Sequence, residues 1–232
     1  MAQKNSQIRL NKFLAERLGV SRREADDMIS IGSIFIDGKP ANLGAKIDKN
    51  SKVCYNSKII PFETDFLYVA FNKPVGYVCS RRSQGQIPTI YKILPKEYQK
   101  LKTVGRLDKD SSGLILLTND GDFAFQMTHP KFHKEKIYQV ELDRPLEPLH
   151  QQMISDYGVM LDDGPSKFMV VNSGDRTHFT VTLSEGRNRQ IRRTFASLGY
   201  KVKTLHRTRF GIFELNNLKP GKSQIIDKNK IS

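Results

Sequence analysis

Cysteine and histidine are scarce in this chain of 232 residues, which contains two cysteines and five histidines. Cys54 and Cys79 lie far apart and form no Cys-x-x-Cys pair, so we expect reduced structural thiols rather than a disulfide framework or a thiolate metal site. His129 and His133 are the only close histidine pair, and Pro130 between them disfavours the regular helix that would align two ligands. The sequence therefore predicts no bound metal.

Cofactor motifs and membrane segments are also missing. No G-x-x-x-x-G-K-[ST] or G-x-G-x-x-G motif occurs, which argues against ATP and nicotinamide cofactors. There is no run of about 18 apolar residues, no apolar signal peptide at the start, and no basic amphipathic helix or lipidation signal. We therefore expect a cytoplasmic protein that needs no nucleotide or other cofactor and binds no membrane.

Acidic residues are too few to balance the basic ones. The chain has 38 Lys and Arg against 24 Asp and Glu, which gives a net charge of +14 and a pI of about 9.8. A polyanion is the natural partner of such a chain, and nucleic acid is the first candidate. The length permits two domains, and the polar segment at residues 56–65 predicts a boundary between domains at residues 1–60 and 66–232.

Residues 8–55 have the pattern of a small module of two helices and a β-hairpin. Apolar residues recur on one helical face within residues 8–18. Ser21 and Glu24 have the spacing of a capping box at the start of a second helix. A β-rich run then leads into Asp37-Gly38, which is a hairpin signal.

Arginines at the start of the second predicted helix are candidate contacts of a polyanion. Arg22 and Arg23 lie where backbone amides and the helix dipole already favour anions, although solvated surface charges are the alternative interpretation. The segments R-L-N-K-F-L-A, G-V-S-R-R-E-A and I-D-G-K-P together resemble the S4 RNA-binding module. This resemblance implies docking on structured RNA, with contacts from Arg9, Lys12, Arg22 and Arg23.

The remainder of the chain has more strand patterns than helix patterns. Residues 67–71 and 114–117 are apolar runs, whereas residues 136–143 and 178–183 alternate between apolar and polar, with Tyr138 in the inward-facing set. Hairpin signals recur and helices are few. We therefore predict an α+β protein in which the small N-terminal module precedes a mixed, mainly antiparallel β-sheet domain with flanking helices.

Residues 104–121 are the first candidate for chemistry. Asp108 follows a glycine-containing turn, and a small-residue break and an apolar run come after it. Its carboxylate is therefore expected on a loop beside a buried strand. A loop-capping or salt-bridged aspartate is the alternative interpretation, and the pattern of this stretch alone favours it.

Residues 186–209 form a strongly basic stretch. They include eight Lys and Arg and no Asp or Glu, which favours a polyanionic partner over a merely solvated basic face. Asn188 is expected to cap a helix that ends at Gly199. On that helix Arg193 projects away from the apolar stripe, whereas Arg192 borders the buried face and can reach into a cleft.

Several motifs occur in one order along the chain, and together they carry a family resemblance. They are N-K-P-V-G-Y-V-C-S at 72–80, G-R-L-D at 105–108, K-I-Y at 136–138, E-G-R-N-R-Q-I-R-R at 185–193 and L-H-R-T-R-F-G at 205–211. With the S4-like module, they resemble the RsuA/RluB group of ribosomal RNA pseudouridine synthases over nearly the whole chain. The catalytic domain is then expected to have the pseudouridine synthase fold.

The resemblance implies roles for individual residues. Asp108 matches the nucleophile, Tyr138 the tyrosine that stacks on the uridine, and Arg192 the basic residue paired with the aspartate. The resemblance also implies substrate contacts from Arg106 and Leu205, and Arg189 and Arg193 of the basic stretch are further candidates for substrate binding.

The implied reaction breaks the N1–C1′ bond of a uridine, rotates the base and rejoins it through C5, so no redox cofactor is needed. Attack by Asp108 at C1′ of the ribose and attack at C6 of the base both stay open. A non-catalytic RNA-binding or ribosome-assembly factor with this fold is the competing hypothesis, and a DNA-binding protein is a third.

The expected partner is ribosomal RNA or a ribosome-assembly intermediate, bound by a monomer. Residues 158–168 and E-G-R-N-R at 185–189 look more like the enzymes that act on large-subunit rRNA. Residues 76–80 look more like the small-subunit enzyme. The sequence therefore favours large-subunit rRNA as the substrate, with small-subunit rRNA as the alternative.

Overall fold

The computed structural model describes residues 7–63 and 65–227. The chain divides into two compact units, the first consisting of Met1–Leu67 with Asn119–Gly121 and the second of Tyr68–Thr118 with Asp122–Ser232. The predicted domain limits at 1–60 and 66–232 stay a prediction. Each unit has its own buried core.

The first unit combines two helices with short strands. The helices are α1 (Leu10–Arg17) and α2 (Arg22–Ser30). The strands are β1 (Ile8–Arg9), β2 (Ile34–Ile36), β3 (Lys39–Pro40), β4 (Lys46–Ile47), β5 (Val53–Tyr55) and β6 (Lys58–Ile59). An antiparallel sheet has the order β3-β2-β5-β6, and β1 pairs with β4.

The predicted capping box at the start of α2 is confirmed. Ser21 Oγ accepts a hydrogen bond from the Glu24 amide at 3.1 Å, and Glu24 Oε2 accepts one from the Ser21 amide at 2.7 Å. Replacing such a cap by alanine typically costs about 1 kcal/mol. The buried face of α2 packs on a core that includes Phe13, which is fully buried. Burial of such a side chain contributes roughly 1.5–3 kcal/mol.

The β2–β3 hairpin turns where the sequence predicts it. Asp37 and Gly38 have φ values of +49° and +81°, which is the left-handed pair that a tight two-residue hairpin requires. The segment expected to be a linker is partly strand, because β6 pairs with β5 through the turn at Asn56 and Ser57. Polar residues in that turn look like linker in the sequence because hairpin turns and linkers share their composition.

The second unit contains the larger sheet. The strands of this sheet are β7 (Tyr68–Lys73), β8 (Lys102–Val104), β9 (Ser112–Thr118), β10 (Lys136–Leu142), β13 (Met169–Asn172), β14 (His178–Leu183), β15 (Val202–Phe210), β16 (Phe213–Glu214) and β17 (Ser223–Ile225). The strands β11 (Val159–Leu161) and β12 (Gly164–Ser166) pair with each other in a separate hairpin. The helices of this unit are α3 (Gly121–Thr128), α4 (Pro148–Gln152), which continues as a π-helical turn (Met153–Tyr157), and α5 (Gln190–Ser197).

The sheet has nine strands, of which seven form the order β13-β14-β10-β15-β9-β7-β17, while β8 pairs with β9 and β16 with β15. The β9–β15 pair is parallel and the other pairs are antiparallel. The predicted mixed, mainly antiparallel fold is therefore confirmed. In the described part of the chain, no helix is long and apolar enough to cross a membrane.

The parallel pair depends on Gly113. Gly113 lies opposite Arg207 with φ at +103°, and a Cβ atom there would lie 2.2 Å from the Arg207 carbonyl oxygen. Only glycine permits so close an approach of two backbones. Gly113 thus joins the strand that follows the Asp108 loop to the strand that carries Leu205.

Candidate active site

The loop between β8 and β9 presents Asp108 beside the sheet. The Ser111 amide donates to the Asp108 carbonyl at 3.1 Å, which closes a turn. Leu107 is buried, and its amide donates to Cys79 Sγ at 3.4 Å. The backbone on both sides of Asp108 is thus held, while about a third of the Asp108 side chain stays exposed.

Lys73, the last residue of β7, forms hydrogen bonds to the backbone of this loop. Its side chain is completely buried, and Nζ donates to the carbonyl oxygens of Ser111 at 2.6 Å and Pro74 at 3.0 Å. Burial lowers the pKa of Lys73 to about 8, against the attraction of Cys79, Asp108 and Asp110. A buried lysine that donates to loop carbonyls fixes the path of the loop, so Lys73 holds the backbone segment that carries Asp108.

Asp108 lies on the wall of a pocket of about 330 Å³. Loop residues around Asp108, strands β10 and β15 and the start of α5 line this pocket. The predicted site residues among its lining are Arg106, Asp108, Tyr138, Arg189 and Leu205. The structure thus brings together five positions that are separated by up to about a hundred residues in the sequence.

Tyr138 and Leu205 come from adjacent strands and are both buried. Tyr138 lies opposite Arg207 in the β10–β15 ladder, next to a register shift between Ile137 and Tyr138. Such an irregularity re-aims side chains locally. The predicted inward orientation of Tyr138 is confirmed, and an aromatic ring and an aliphatic side chain line the pocket together.

Arg207 and Lys136 also line the pocket, although sequence reasoning did not select them. Arg207 is buried, its Nε donates to the Leu114 carbonyl at 2.7 Å, and its Nη2 is buried without an acceptor among the described residues. Lys136 donates to the carbonyls of Ser184 and Glu185 at 3.1 and 3.2 Å.

These two cations share one aromatic ring. The Arg207 guanidinium and Lys136 Nζ lie 4.8 and 5.4 Å from the centroid of Phe210. Burial and the charge of Arg207 lower the pKa of Lys136 to about 8, while Glu185 opposes this shift. The sequence did contain a signal for Arg207, because it follows Leu205 by two residues and so shares its face of the strand.

Arg189 is the residue that forms the ion pair with Asp108. Its Nη1 lies 3.8 Å from Asp108 Oδ2 and 3.7 Å from Asp110 Oδ2. Arg192 forms no ion pair with Asp108 within 4.0 Å, and its Nη2 donates instead to the Asp110 carbonyl at 2.8 Å. Its Nη1 donates to the Val202 carbonyl at 2.8 Å, so Arg192 ties the Asp108 loop to β15.

The start of α5 differs from the prediction. Asn188 does not cap the helix, because Arg189 occupies the cap position with φ at +46° and no side-chain cap is formed. The left-handed backbone at Arg189 turns this residue toward the carboxylates of the Asp108 loop. Gly199 follows the last helical turn with φ at +84°, as predicted.

Carboxylates of the protein form ion pairs with part of the basic stretch at residues 186–209. Asp163 accepts from Arg193 at 2.7 Å and from Arg187 at 3.1 Å, and the hydrogen bond from Arg193 lowers the pKa of Asp163. Glu185 pairs with Arg187 at 3.0 Å. The positive charge of the stretch is therefore partly neutralised within the protein, by Asp163 from another segment and by Glu185, which directly precedes the stretch.

The four predicted RNA contacts of the first unit lie on its surface or near it. Arg9, Arg22 and Arg23 are exposed, and Lys12 is half-buried with Glu16 at 4.0 Å. Both cysteines are free thiols, and burial raises the pKa of Cys79. Among residues 7–63 and 65–227, no three His, Cys, Asp or Glu side chains are placed to share a metal ion.

Two family models match the chain. The RNA pseudouridylate synthase model matches residues 67–197, which includes the pocket residues up to Ile191, and the S4 domain model matches residues 8–53. The first covers more than half of the chain.

Curated relatives and a solved structure agree with these models. Ribosomal small subunit pseudouridine synthase A of Pasteurella multocida is 37% identical over 90% of this chain and 91% of its own. Ribosomal large subunit pseudouridine synthase B of Pseudomonas aeruginosa is 34% identical over 96% of this chain and 60% of its own. A crystal structure of a pseudouridylate synthase is 33% identical, with a TM-score of 0.70 over 97% of this chain and 98% of that chain. The chain therefore belongs to the RNA pseudouridylate synthase family, as an enzyme of the RsuA/RluB type with an S4 domain.

Proposed function

We propose that this enzyme converts a uridine of ribosomal RNA into pseudouridine, with Asp108 as the nucleophile. The observation that carries the proposal is a carboxylate that is about one third exposed, on a loop held by hydrogen bonds, facing a pocket that is lined by an aromatic ring, an aliphatic side chain and several cations. A binding protein has no need of a nucleophile held in this way. The S4 domain and the net charge of +14 support RNA binding by the same chain.

The pocket residues supply what the isomerisation needs. The Asp108 carboxylate forms a bond to C1′ of the ribose or to C6 of the base, and the N1–C1′ bond breaks. A C5–C1′ bond then forms, the bond to Asp108 breaks and frees the carboxylate, C5 loses a proton and N1 gains one. Tyr138 and Leu205 hold the detached base between an aromatic face and an aliphatic side chain. Arg207, which has a buried donor without a protein acceptor, is suited to a carbonyl oxygen of the pyrimidine ring.

The target base must leave its stack before Asp108 can reach it. Unstacking costs a few kcal/mol. Arg106 is exposed at the edge of the pocket, where it can occupy the vacated position and contact the backbone. Arg189 forms an ion pair with Asp108, and Arg192 donates to the carbonyl of Asp110, so both cations lie beside the loop that carries the nucleophile.

The relatives change the preferred ribosomal subunit. Residues 158–168 and 185–189 favoured large-subunit rRNA, but the relatives that this chain matches along nearly their whole length are named as small-subunit enzymes. The large-subunit relative is matched over only 60% of its length. We therefore propose small-subunit rRNA as the substrate.

Pseudouridine mapping tests both parts of the proposal. Pseudouridines are mapped in small-subunit rRNA and in large-subunit rRNA. The cells compared carry the wild-type gene, no copy of the gene, the Asp108→Ala variant or the Asp110→Ala variant. We expect one small-subunit pseudouridine to disappear with the gene and with Asp108→Ala, while purified Asp108→Ala still binds the RNA. Asp110→Ala is the matched control, because it removes a neighbouring carboxylate that also contacts Arg189. Wild-type modification by Asp108→Ala would exclude the nucleophile, and loss of a large-subunit pseudouridine would reassign the subunit.

A further inference from the structure

An exposed aromatic cluster lies on α3 and the turn that follows it. It consists of Phe125, His129 and Phe132, with Lys131 beside the rings. Phe125 is 47% exposed and Phe132 is 37% exposed, and His129 and Lys131 are also exposed. Two phenylalanines held together in water lose the hydrophobic stabilisation that burial would give them. A ligand that covers them would recover it.

The rings and the cation are arranged as one surface. The Phe125 and Phe132 centroids are 5.8 Å apart at 89°, and the His129 ring lies 4.7 Å from Phe125. Lys131 Nζ lies 5.2 Å from the Phe125 centroid and 4.7 Å from that of Phe132. His129 Nδ1 accepts from the Lys131 amide at 3.3 Å, which fixes the imidazole. The cluster is therefore an ordered feature of the fold.

This cluster is close to the Asp108 pocket. Thr128, three residues after Phe125 on the same helix face, lines the pocket. Thr128 also approaches Gly105, since a Cβ atom at Gly105 would lie 3.4 Å from the Thr128 methyl group. The pocket wall at Thr128 is thus about one helical turn from Phe125, so a nucleotide next to one bound in the pocket can reach the cluster.

We propose that this aromatic cluster stacks an unpaired base of the RNA that flanks the target uridine, while Lys131 contacts its phosphate. The inference rests on the proposed function, because it takes the pocket to hold a flipped uridine. Unpaired bases are recognised by stacking on aromatic side chains next to a cation, and every base offers such a face. A lysine centred on the rings fits a base with its phosphate better than a purely apolar protein segment.

The test compares substitutions that keep or remove aromaticity. The variants are Phe125→Leu with Phe132→Leu, and Phe125→Tyr with Phe132→Tyr. Tyr157→Leu is the matched control, because Tyr157 is an exposed aromatic residue of the same unit with no ring or cation contact among the described residues. The probes are unmodified transcripts of small-subunit and large-subunit rRNA. Affinity is measured at fixed salt, and pseudouridine formation is measured separately at saturating transcript.

Of the two transcripts, one is the substrate in which the wild-type enzyme forms pseudouridine. We expect the double leucine variant to bind this transcript about 10- to 100-fold more weakly than the wild type does, because stacking of one base on an aromatic side chain typically contributes this much to affinity. The double tyrosine variant and Tyr157→Leu should bind like the wild type, and kcat should be unchanged in all three. Wild-type affinity in the double leucine variant would overturn the stacking site and leave a protein contact as the occupant. A loss of affinity in the double tyrosine variant equal to that of the double leucine variant would also overturn the stacking site. Binding without isomerisation by the wild type would overturn the proposed function instead.

Discussion

Arg189 Nη1 lies 3.8 Å from Asp108 Oδ2, so the ion pair of the proposed nucleophile is with a residue outside the helical turns of α5. Arg192, which the family resemblance pairs with the aspartate, instead donates to the backbone carbonyl of Asp110. The two arginines therefore act on the loop in different ways. Arg189 supplies charge at a partly exposed site, whereas Arg192 holds the backbone in place.

This difference predicts unequal losses from the two arginines. Arg192→Ala removes hydrogen bonds to the loop and to β15, and we expect kcat to fall about 10- to 100-fold while RNA affinity changes less. Arg189→Asn removes an exposed ion pair, and we expect less than about fivefold because such pairs contribute about 0–1 kcal/mol. Asparagine tolerates the left-handed backbone at this position. Single-turnover rates and filter binding check both, and a larger loss for Arg189→Asn would contradict this division.

The S4 domain should affect binding more than chemistry. Arg22→Ala with Arg23→Ala removes two exposed charges at the start of α2, so we expect weaker RNA binding. The slope of the logarithm of the binding constant against the logarithm of the salt concentration should become shallower by about one to two. The rate at saturating RNA should be unchanged. Lys49→Ala with Lys58→Ala removes the same charge from other exposed positions of this unit and is the matched control. Equal losses of affinity in both pairs would mean that only the total charge matters.

Gly113 should tolerate no side chain. A Cβ atom there would lie 2.2 Å from a backbone oxygen of Arg207, so Gly113→Ala must separate β9 from β15. We expect a loss of at least about 3 kcal/mol in the free energy of unfolding of the second unit. Gly221→Ala is the control, because Gly221 also has a positive φ, at +75°, but an added Cβ atom would meet open space. Here we expect a loss of about 1–2 kcal/mol in the free energy of unfolding, from the backbone conformation alone. Thermal and urea unfolding measure both, and similar losses would argue against the close approach.

Local patterns predicted the elements of this fold better than the contacts of its site. The Ser21 capping box, the Asp37-Gly38 turn and the inward orientation of Tyr138 each depend on a few neighbouring residues, and each was correct. The partner of Asp108 depends on how α5 begins, and the left-handed backbone at Arg189 has no signal in E-G-R-N-R-Q. Propensity favoured Asn188 as the cap, and the tertiary arrangement overrode it.

Charge compensation was the other feature that the sequence concealed. The basic stretch is free of acids along the chain, yet Asp163 reaches Arg187 and Arg193 from the β11–β12 hairpin. Buried positions of charged residues were equally hidden. Lysine is almost never fully buried, but the side chain of Lys73 lies in the core and its Nζ donates to carbonyl oxygens of the Asp108 loop.

Lys73 should make stability depend on pH. Burial lowers its pKa to about 8 in the folded protein, from the ordinary value of 10.5 expected in the unfolded chain. Between these values the unfolded chain holds a proton that the folded protein has released, so the free energy of unfolding rises with pH across this window. Lys73 should contribute a rise of at most about 3 kcal/mol.

The comparison of wild type with Lys73→Met isolates this contribution. Lys136 adds a rise of the same sign, while Cys79 and Tyr91, whose pKa values are raised by burial, oppose it at higher pH. The contributions of Lys136 and Tyr91 are common to both proteins. Lys73→Met also removes a charge that lowers the pKa of Cys79, and this change acts in the same direction on the difference between the two curves. The wild-type curve should therefore steepen relative to Lys73→Met between pH 8 and 10.5. The ¹³Cε shift of Lys73 in the wild type gives a second measurement that needs no variant. A titration midpoint near 10.5 would contradict the prediction, because it would show that burial does not destabilise the charged form of Lys73.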